Sequence, residues 1–379
     1  MSIGFIDLFA GCGGLSTGLK MAGLEPVVAV ESNAWAAETF ARNHTETTVI
    51  CSDVRETSGS VLASGFGGNV PLVVGGPPCQ GFSAANRQSL GGEQNNLVRE
   101  FVRLVLEVRP TAFLMEQVPM IINWGGGVFV EEIRSTFSEA GYDVSFDVLN
   151  ACQFGVPQTR RRAFFTGISQ GESMEFPRPT HYLPSELTKF QTVFAPGTCE
   201  CSFLEKCVTV RDALSDLPDI QPRSRGVSPV SYECDPKSRF QALMRQGNGE
   251  SVHNHVATVS SEKVTERYGH VPPGGNWRSI PKELLQHSKV RHSSLYYRLH
   301  PDRPSKTITN FRKSMFIAPF SDRQLSVREA ARMQSYPDWF TWSEEVPISA
   351  QQQMVANSVP PMLGFHLGLA LKKAVGDSR

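Results

Sequence analysis

The chain has no excess of either charge: 37 lysines and arginines balance 37 aspartates and glutamates over 379 residues. Global basicity is therefore no argument for a nucleic-acid partner, although a local patch stays open. Long hydrophobic runs are also missing. None approaches the roughly 18 residues needed to span a bilayer, so no membrane association is expected. The start, MSIGFIDLF, lacks the basic n-region and cleavage site of a secretory signal. The eight cysteines form no short, dense framework, which excludes a disulfide-stapled secreted scaffold and points to a reduced, cytoplasmic chain. There is no internal repeat and no low-complexity tract. The glycine-rich stretch near the start is not GxGxxG, which makes a nicotinamide cofactor a poor fit.

What is present is alternation. IGFIDLF, PVVAVE, TVICSDV, PLVVGG, TAFLMEQV and RAFFTGI read as strands, being apolar, β-branched and strand-sized. Between them LSTGLKMAG, AWAAETFARNH, LVREFVRLVLEV and FVEEIRSTFSEAG have helical spacing. Apolar strands alternating with helices imply an α/β fold with a parallel sheet covered on both faces. Its ligands would bind at the carboxyl ends of the strands. Between about Ser169 and Arg303 prolines, glycines and scattered charges dominate, and a second domain of loops and short strands is expected. LSVREAARMQ then reads as a packing helix with Ser326 as N-cap, and the segment from Ser349 onward as a loop followed by a C-terminal helix.

Chemistry-bearing residues fall at the expected strand ends. Gly11, Gly13 and Gly14 follow the first strand, where glycine lets backbone approach a ligand closely. Glu31 follows the second strand and Asp53 the third, suited to ribose hydroxyls and an adenine amino group. The fourth delivers Cys79, stiffened by Pro77 and Pro78, whose φ angles are fixed. The polar stretch after it, to about Asn96, has the composition of a mobile loop beside a reactive centre. With no histidine nearby in sequence, a Cys-His hydrolase is disfavoured. The fifth strand ends in Glu116, placed to donate a proton, and Arg160, Arg161 and Arg162 precede another buried strand. A thiol, a carboxyl and a guanidinium around one site suit attack on an electron-poor ring.

In this order DLFAGCGG, GGPPCQGFS, the glutamate of MEQV, QTRRR, LSVREAARMQSYPD and ANSVPP closely resemble the ordered motifs of the DNA cytosine-5 methyltransferases, from Phe5 to about Leu371. The resemblance implies a Rossmann-like S-adenosylmethionine-dependent methyltransferase sheet with a second, smaller, irregular target-recognition domain. The implied boundaries are 1–180 for the catalytic and cofactor-binding domain, 181–340 for target recognition, and 341–379 for a segment returning to the catalytic domain. S-adenosylmethionine would sit over Phe9, Gly11 and Gly13, with Glu31 on its ribose and Asp53 and Val54 at its adenine. Leu97, Asn357 and Val359 would complete that pocket. Cys79 would add to C6 of a flipped cytosine, helped by Glu116, with Arg162 and nearby Arg160 on the O2 side. Gln80, Ser83 and Arg87 would hold the base or a flanking phosphate.

Three departures from the family pattern stand out: Gln117 where Glu-Asn-Val is usual, Gln94 where an arginine is common, and Ser32 where an aromatic often follows the ribose-binding acid. By the same analogy the variable stretch, 169–305, contains the DNA-reading region. Nine lysines and arginines stand against five acids from Arg245 to Arg303, and Arg278 and Arg291 are candidate contacts. The spacing of Cys199, Cys201, Cys207 and Cys234 is not a standard zinc pattern, so no metal is expected. The partner the resemblance implies is double-stranded DNA. The enzyme would be a stand-alone, monomeric bacterial or phage type, with a cognate restriction endonuclease acting separately. RNA methylation and a catalytically silent DNA-binding regulator remain as alternatives.

Overall fold

The computed structural model describes residues 2–67, 69–78, 96–169, 173–184, 204–222, 229–285 and 294–377. They divide into two compact units. The first comprises Met1–Asn150, Arg161–Arg178 and Pro361–Arg379, the second Ala151–Arg160 and Pro179–Pro360. The cut expected at 180 falls between Arg178 and Pro179, except that Ala151–Arg160 pack with the second unit, and the cut expected at 340 falls after Pro360, because the residues from 341 to 360 pack there too. Only the stretch from Pro361 returns to the first. The second unit, expected to be the smaller, spans about as many residues as its neighbour.

The first unit is built on β1 (Ile3–Leu8), α1 (Gly14–Met21), β2 (Leu24–Val30), α2 (Ala34–Asn43), β3 (Thr48–Ile50), α3 (Gly59–Ala63), β4 (Leu72–Gly75), α4 (Asn96–Val108), β5 (Ala112–Gln117), α5 (Val128–Glu139) and β6 (Asp143–Asn150). After the two-residue β7 (Gln158–Thr159) of the second unit comes β8 (Arg161–Ile168). Seven strands form one sheet in the order β3-β2-β1-β4-β5-β8-β6. Neighbours from β3 to β5 are parallel, but β8 runs antiparallel to both β5 and β6, which corrects the all-parallel expectation. A strand buried on both faces is apolar whichever way it runs, so composition carried no sign of the reversal. The sequence reading also passed over β6, whose side chains vary from exposed to buried.

Ile6, Leu8, Val73, Phe101, Phe113 and Phe137 belong to one buried cluster against the sheet. Each such side chain contributes about 1.5–3 kcal/mol. The last helix of the chain, α11 (Pro361–Asp377), packs on α1. The approach is close because Gly18 has no Cβ; one would stand 2.1 Å from the Pro361 carbonyl oxygen.

The second unit has little regular structure. Its strands β9 (His181–Tyr182), β10 (Glu205–Lys206), β11 (Val230–Ser231), β12 (Ser251–Val252) and β13 (Ser305–Lys306) are two residues long. Its helices are α6 (Val210–Leu214), α7 (Arg239–Arg245), α8 (Glu262–Gly269), α9 (Val327–Met333) and α10 (Ile348–Asn357). α10 replaces the loop expected there; residues 358–360 separate it from α11, which opens on Pro361, a position where the missing N–H of proline is not needed. α9 is the packing helix expected: Ser326 and Glu329 form its capping box, and Arg328 and Arg332 are fully buried. No single helix among the described residues is long and apolar enough to cross a membrane.

Candidate active site

Parallel strands put their carboxyl ends on one edge, and β8, running the other way, starts there. In sheet order this edge carries Asp53, Glu31, the Phe9–Gly13 turn, Pro77–Pro78 and Glu116, with Arg162 at the start of β8. At about 4.8 Å per strand, the row from Asp53 to Glu116 spans roughly 19 Å.

The glycine turn is held from below. Phe9 (φ 58°), Gly11 (56°) and Gly13 (96°) all lie in the left-handed region. Asp7, buried in β1, accepts a 2.5 Å hydrogen bond from Ser16 Oγ on α1. Burial pushes its carboxyl up to about 7; the Ser16 bond opposes this, and the Glu31 charge adds to it. On the other side Thr17 Oγ1 donates to the Gly13 carbonyl oxygen at 2.7 Å and lies 3.2 Å from His44 Nε2. Burial lowers the His44 pKa to about 4, with Lys20 acting in the same direction, so the ring is neutral at pH 7. Neither Asp7 nor His44 was singled out from sequence. A carboxyl inside a buried strand was the available signal for Asp7; nothing marked His44.

Glu31 accepts from the N–H of Gly11 at 2.9 Å and from that of Asn33 at 2.7 Å, one on each oxygen. A carboxylate has about four acceptor sites, so two remain to receive a pair of hydroxyls. Beside it, a Cβ on Gly11 would meet nothing within 4 Å. An open cradle, left-handed backbone and a pre-held carboxylate fit a ribose-bearing cofactor. Asp53 caps the short helical turn Val54–Glu56 and binds Arg55 through both oxygens, at 2.9 and 2.6 Å. That Arg55 hydrogen bond lowers its pKa to about 2. Val54 is buried behind it and Leu97 is half-buried at the start of α4.

Glu116 and Arg162 form an ion pair, Oε1 to Nε 2.7 Å, with both side chains mostly buried. Arg162 also donates from Nη1 to the Arg161 carbonyl oxygen at 2.7 Å. A Cβ on Gly76 would lie 3.1 Å from the second carboxylate oxygen, Oε2. Next to this pair Gln117 Nε2 donates to the buried Pro77 carbonyl oxygen at 2.7 Å, a brace on the segment leading to Cys79. Gln117 Oε1 is buried with no partner among the described residues.

Arg160 belongs to the second unit, where its buried guanidinium reaches the carbonyl oxygens of Ile308 at 3.5 Å and Asn357 at 3.4 Å. A buried guanidinium needs acceptors, and these carbonyls supply them. Asn357, whose Oδ1 accepts from Gln353 Nε2 at 2.7 Å, and Val359 lie in the second unit too. Arg278 is exposed there, beside Trp277. Cys79, Gln80, Ser83, Arg87, Gln94, Arg291, Cys199 and Cys201 lie outside the described residues. Cys207 is buried against Cys152 and donates to the Tyr182 carbonyl oxygen at 2.8 Å.

Comparison with known proteins places this geometry in context. The family described as C-5 cytosine-specific DNA methylase matches residues 3–373. The Type II methyltransferase M.DdeI of Desulfomicrobium norvegicum is 32% identical, over 94% of this chain and 86% of its own length. The Type II methyltransferase M1.HphI of Haemophilus parahaemolyticus is also 32% identical, over 98% of this chain and 87% of its own. Among solved structures, one from E. coli, described as a DNA modification methyltransferase encoded within a prophage, superposes with a TM-score of 0.76 at 26% identity, covering 99% of this chain and all of that one.

Proposed function

Since the chain belongs to the C-5 cytosine-specific DNA methylase family, we propose that it methylates C5 of cytosine in a short double-stranded DNA sequence. The observation that carries the reading is the Glu116–Arg162 pair, set on the sheet edge one strand from the turn that leads to Cys79. Phe9, Gly11, Gly13, Glu31, Asp53, Val54, Leu97, Asn357 and Val359 would hold S-adenosylmethionine. When bound, that cofactor supplies an electrophilic methyl group.

Cys79 is the nucleophile. Its thiolate bonds to C6 of the ring, which loads electron density onto C5, and the same bond breaks when C5 gives up its proton. Only a few per cent of an ordinary thiol is ionised at neutral pH, so polarisation of the ring matters. Glu116, after taking up a proton from water, accomplishes this by donating it or a hydrogen bond at N3, and Arg162, already holding one of its oxygens, binds the O2 side and keeps the carboxyl aimed. A base within a duplex cannot present its face, so the cytosine is flipped out at a cost of a few kcal/mol. Gln80, Ser83 and Arg87 fall on the segment that would close over it. The second unit would read the target sequence, with Arg278 and Arg291 among its contacts. A separate cognate endonuclease, a monomeric state and action in the compartment that holds the DNA complete the reading.

The test is to incubate purified protein with S-adenosylmethionine and unmethylated genomic DNA and to map 5-methylcytosine at single-base resolution. Modification confined to one short motif is expected, and Cys79→Ser should abolish it while cofactor affinity stays within a few fold. Substantial turnover by Cys79→Ser would remove the covalent step, and absence of 5-methylcytosine with cofactor bound would remove the reaction.

A further inference from the structure

Most arginines of the second unit are consumed by its own acids and carbonyls. Arg245, Arg323 and Arg332 are ion-paired with Asp216, Glu329 and Asp338, and Arg298 with Asp322. Other cations are not, among them Arg278, Arg303 and Lys306, which form no ion pair among the described residues. Lys306 Nζ stands 4.2 Å from the centre of the Tyr297 ring. Arg303 is near enough to act on the Tyr297 hydroxyl, and Arg278 near enough to weaken the hold of Lys306 on its proton, which burial already lowers. Arg278 itself rests against Trp277, 5.4 Å from its ring centre. Asp302, the neighbour of Arg303, is drawn to Arg211 by a 2.8 Å ion pair.

The three cations come from three pinned backbone segments. The Arg278 loop is tied to the Tyr297 segment by Gly274 N–H to the Arg298 carbonyl oxygen (3.0 Å), Arg298 N–H to that of Gly275 (3.1 Å) and Trp277 N–H to that of Leu295 (3.1 Å). The Arg303 carbonyl oxygen accepts from the Val210 N–H at 3.0 Å. Lys306 is fixed by pairing of β13 with β7, where Thr159 Oγ1 donates to the Ser305 carbonyl oxygen at 3.0 Å and Thr307 Oγ1 to that of Thr159 at 2.7 Å. Like charges repel, and free loops would let them spread. Here the backbone holds them together on a rigid aromatic backing, an arrangement that lowers the ordering cost of binding an anion.

We propose that Lys306, Arg278 and Arg303, backed by Tyr297 and Trp277, form a phosphate seat through which the second unit grips the backbone of duplex DNA regardless of base sequence. The inference rests on the DNA-methylating reading above and adds Lys306, Arg303 and their aromatic support to it. Phosphate contacts fix position and carry the salt dependence, and base contacts carry the specificity.

The experiment is a fluorescence-anisotropy titration of the full chain with labelled duplexes, one containing the methylated motif and one lacking it, from low to physiological salt. Lys306→Ala should lower the slope of log K against log salt by about 0.9 and weaken both duplexes by the same factor. Lys306→Arg should restore the slope, and Arg303→Ala should repeat the loss. An unchanged slope in Lys306→Ala, or a loss confined to the motif-containing duplex, would overturn the seat while leaving the methylation reading intact. Salt-independent binding by the wild-type protein, or binding of structured RNA in place of the duplex, would overturn both.

Discussion

Gln117 offers the sharpest test of how the sheet edge supports the chemistry. Its amide makes one bond, from Nε2 to the buried Pro77 carbonyl oxygen at 2.7 Å, and its Oε1 is buried without a partner among the described residues. Gln117→Met keeps the length and deletes both groups. Losing Oε1 removes a desolvation cost, whereas losing Nε2 strands the Pro77 carbonyl, a loss of about 1–3 kcal/mol for a buried acceptor. The two effects offset in global stability but not locally. The Pro77 position, two residues before Cys79, becomes less populated by a factor of about 5–150. The expected result is a kcat reduced within that range, an unchanged melting temperature and an unchanged calorimetric affinity for S-adenosylhomocysteine. Gln117→Asn keeps the amide but is one bond, about 1.5 Å, too short, so it should fall between wild type and Met. A kcat for Gln117→Met within twofold of wild type would refute the brace.

Two further predictions address the supports of each unit. Asp7 has its carboxyl pKa raised to about 7 by burial, so the folded state holds a proton that the unfolded state releases near pH 4. Its contribution is therefore full below about pH 4 and lost as pH rises towards 7. Asp7→Asn, which keeps an acceptor for Ser16, should gain stability relative to wild type across that window in urea melts, and identical pH profiles would count against the burial argument. In the second unit Arg332 donates to Asp338 at 2.8 and 2.6 Å and to Asp216 at 2.9 Å, all fully buried. Arg332→Met leaves Asp216 with Arg245 alone and Asp338 with Arg328 alone, 3.7 Å away, and should cost about 3 kcal/mol in denaturant unfolding; a loss below 1 kcal/mol would mean those two arginines suffice.

The sheet and its edge were legible because parallel strands announce themselves. Each is a short apolar run, and a glycine or an acid directly after it has to stand at the carboxyl edge, as Gly11, Glu31, Asp53 and Glu116 do. β6 was not legible, since its exposed Asp143 and Asp147 interrupt the apolar signal. The surroundings of Arg160 were not legible for a different reason. In sequence it is one of three adjacent arginines, and only the fold reveals that carbonyls at Ile308 and Asn357 are among its acceptors. The chemistry of Lys306 was hidden as well, because β13 is two residues long and its pairing with β7 joins positions 147 residues apart, Lys306 with Thr159.

The second unit raises the question of how a domain with two-residue strands satisfies its backbone. Buried carbonyls need donors, and short ladders supply few. Here guanidinium groups do much of it. Arg298 donates to the carbonyl oxygens of Val271 (2.6 Å), Tyr268 (2.7 Å), Ser321 (3.0 Å) and Ala318 (3.1 Å). Arg328 donates to those of Phe340 (2.6 Å), His253 (2.9 Å) and Pro337 (3.2 Å). Five N–H donors in a rigid fork suit several carbonyls from separate loops, which a lysine ammonium cannot match. Arginine thus stands in for the missing sheet, and loops anchored this way can change their exposed tips without disturbing the frame. That separation suits the role proposed for this unit, in which a fixed seat for phosphate around Tyr297 would stand beside freely substitutable residues that read bases.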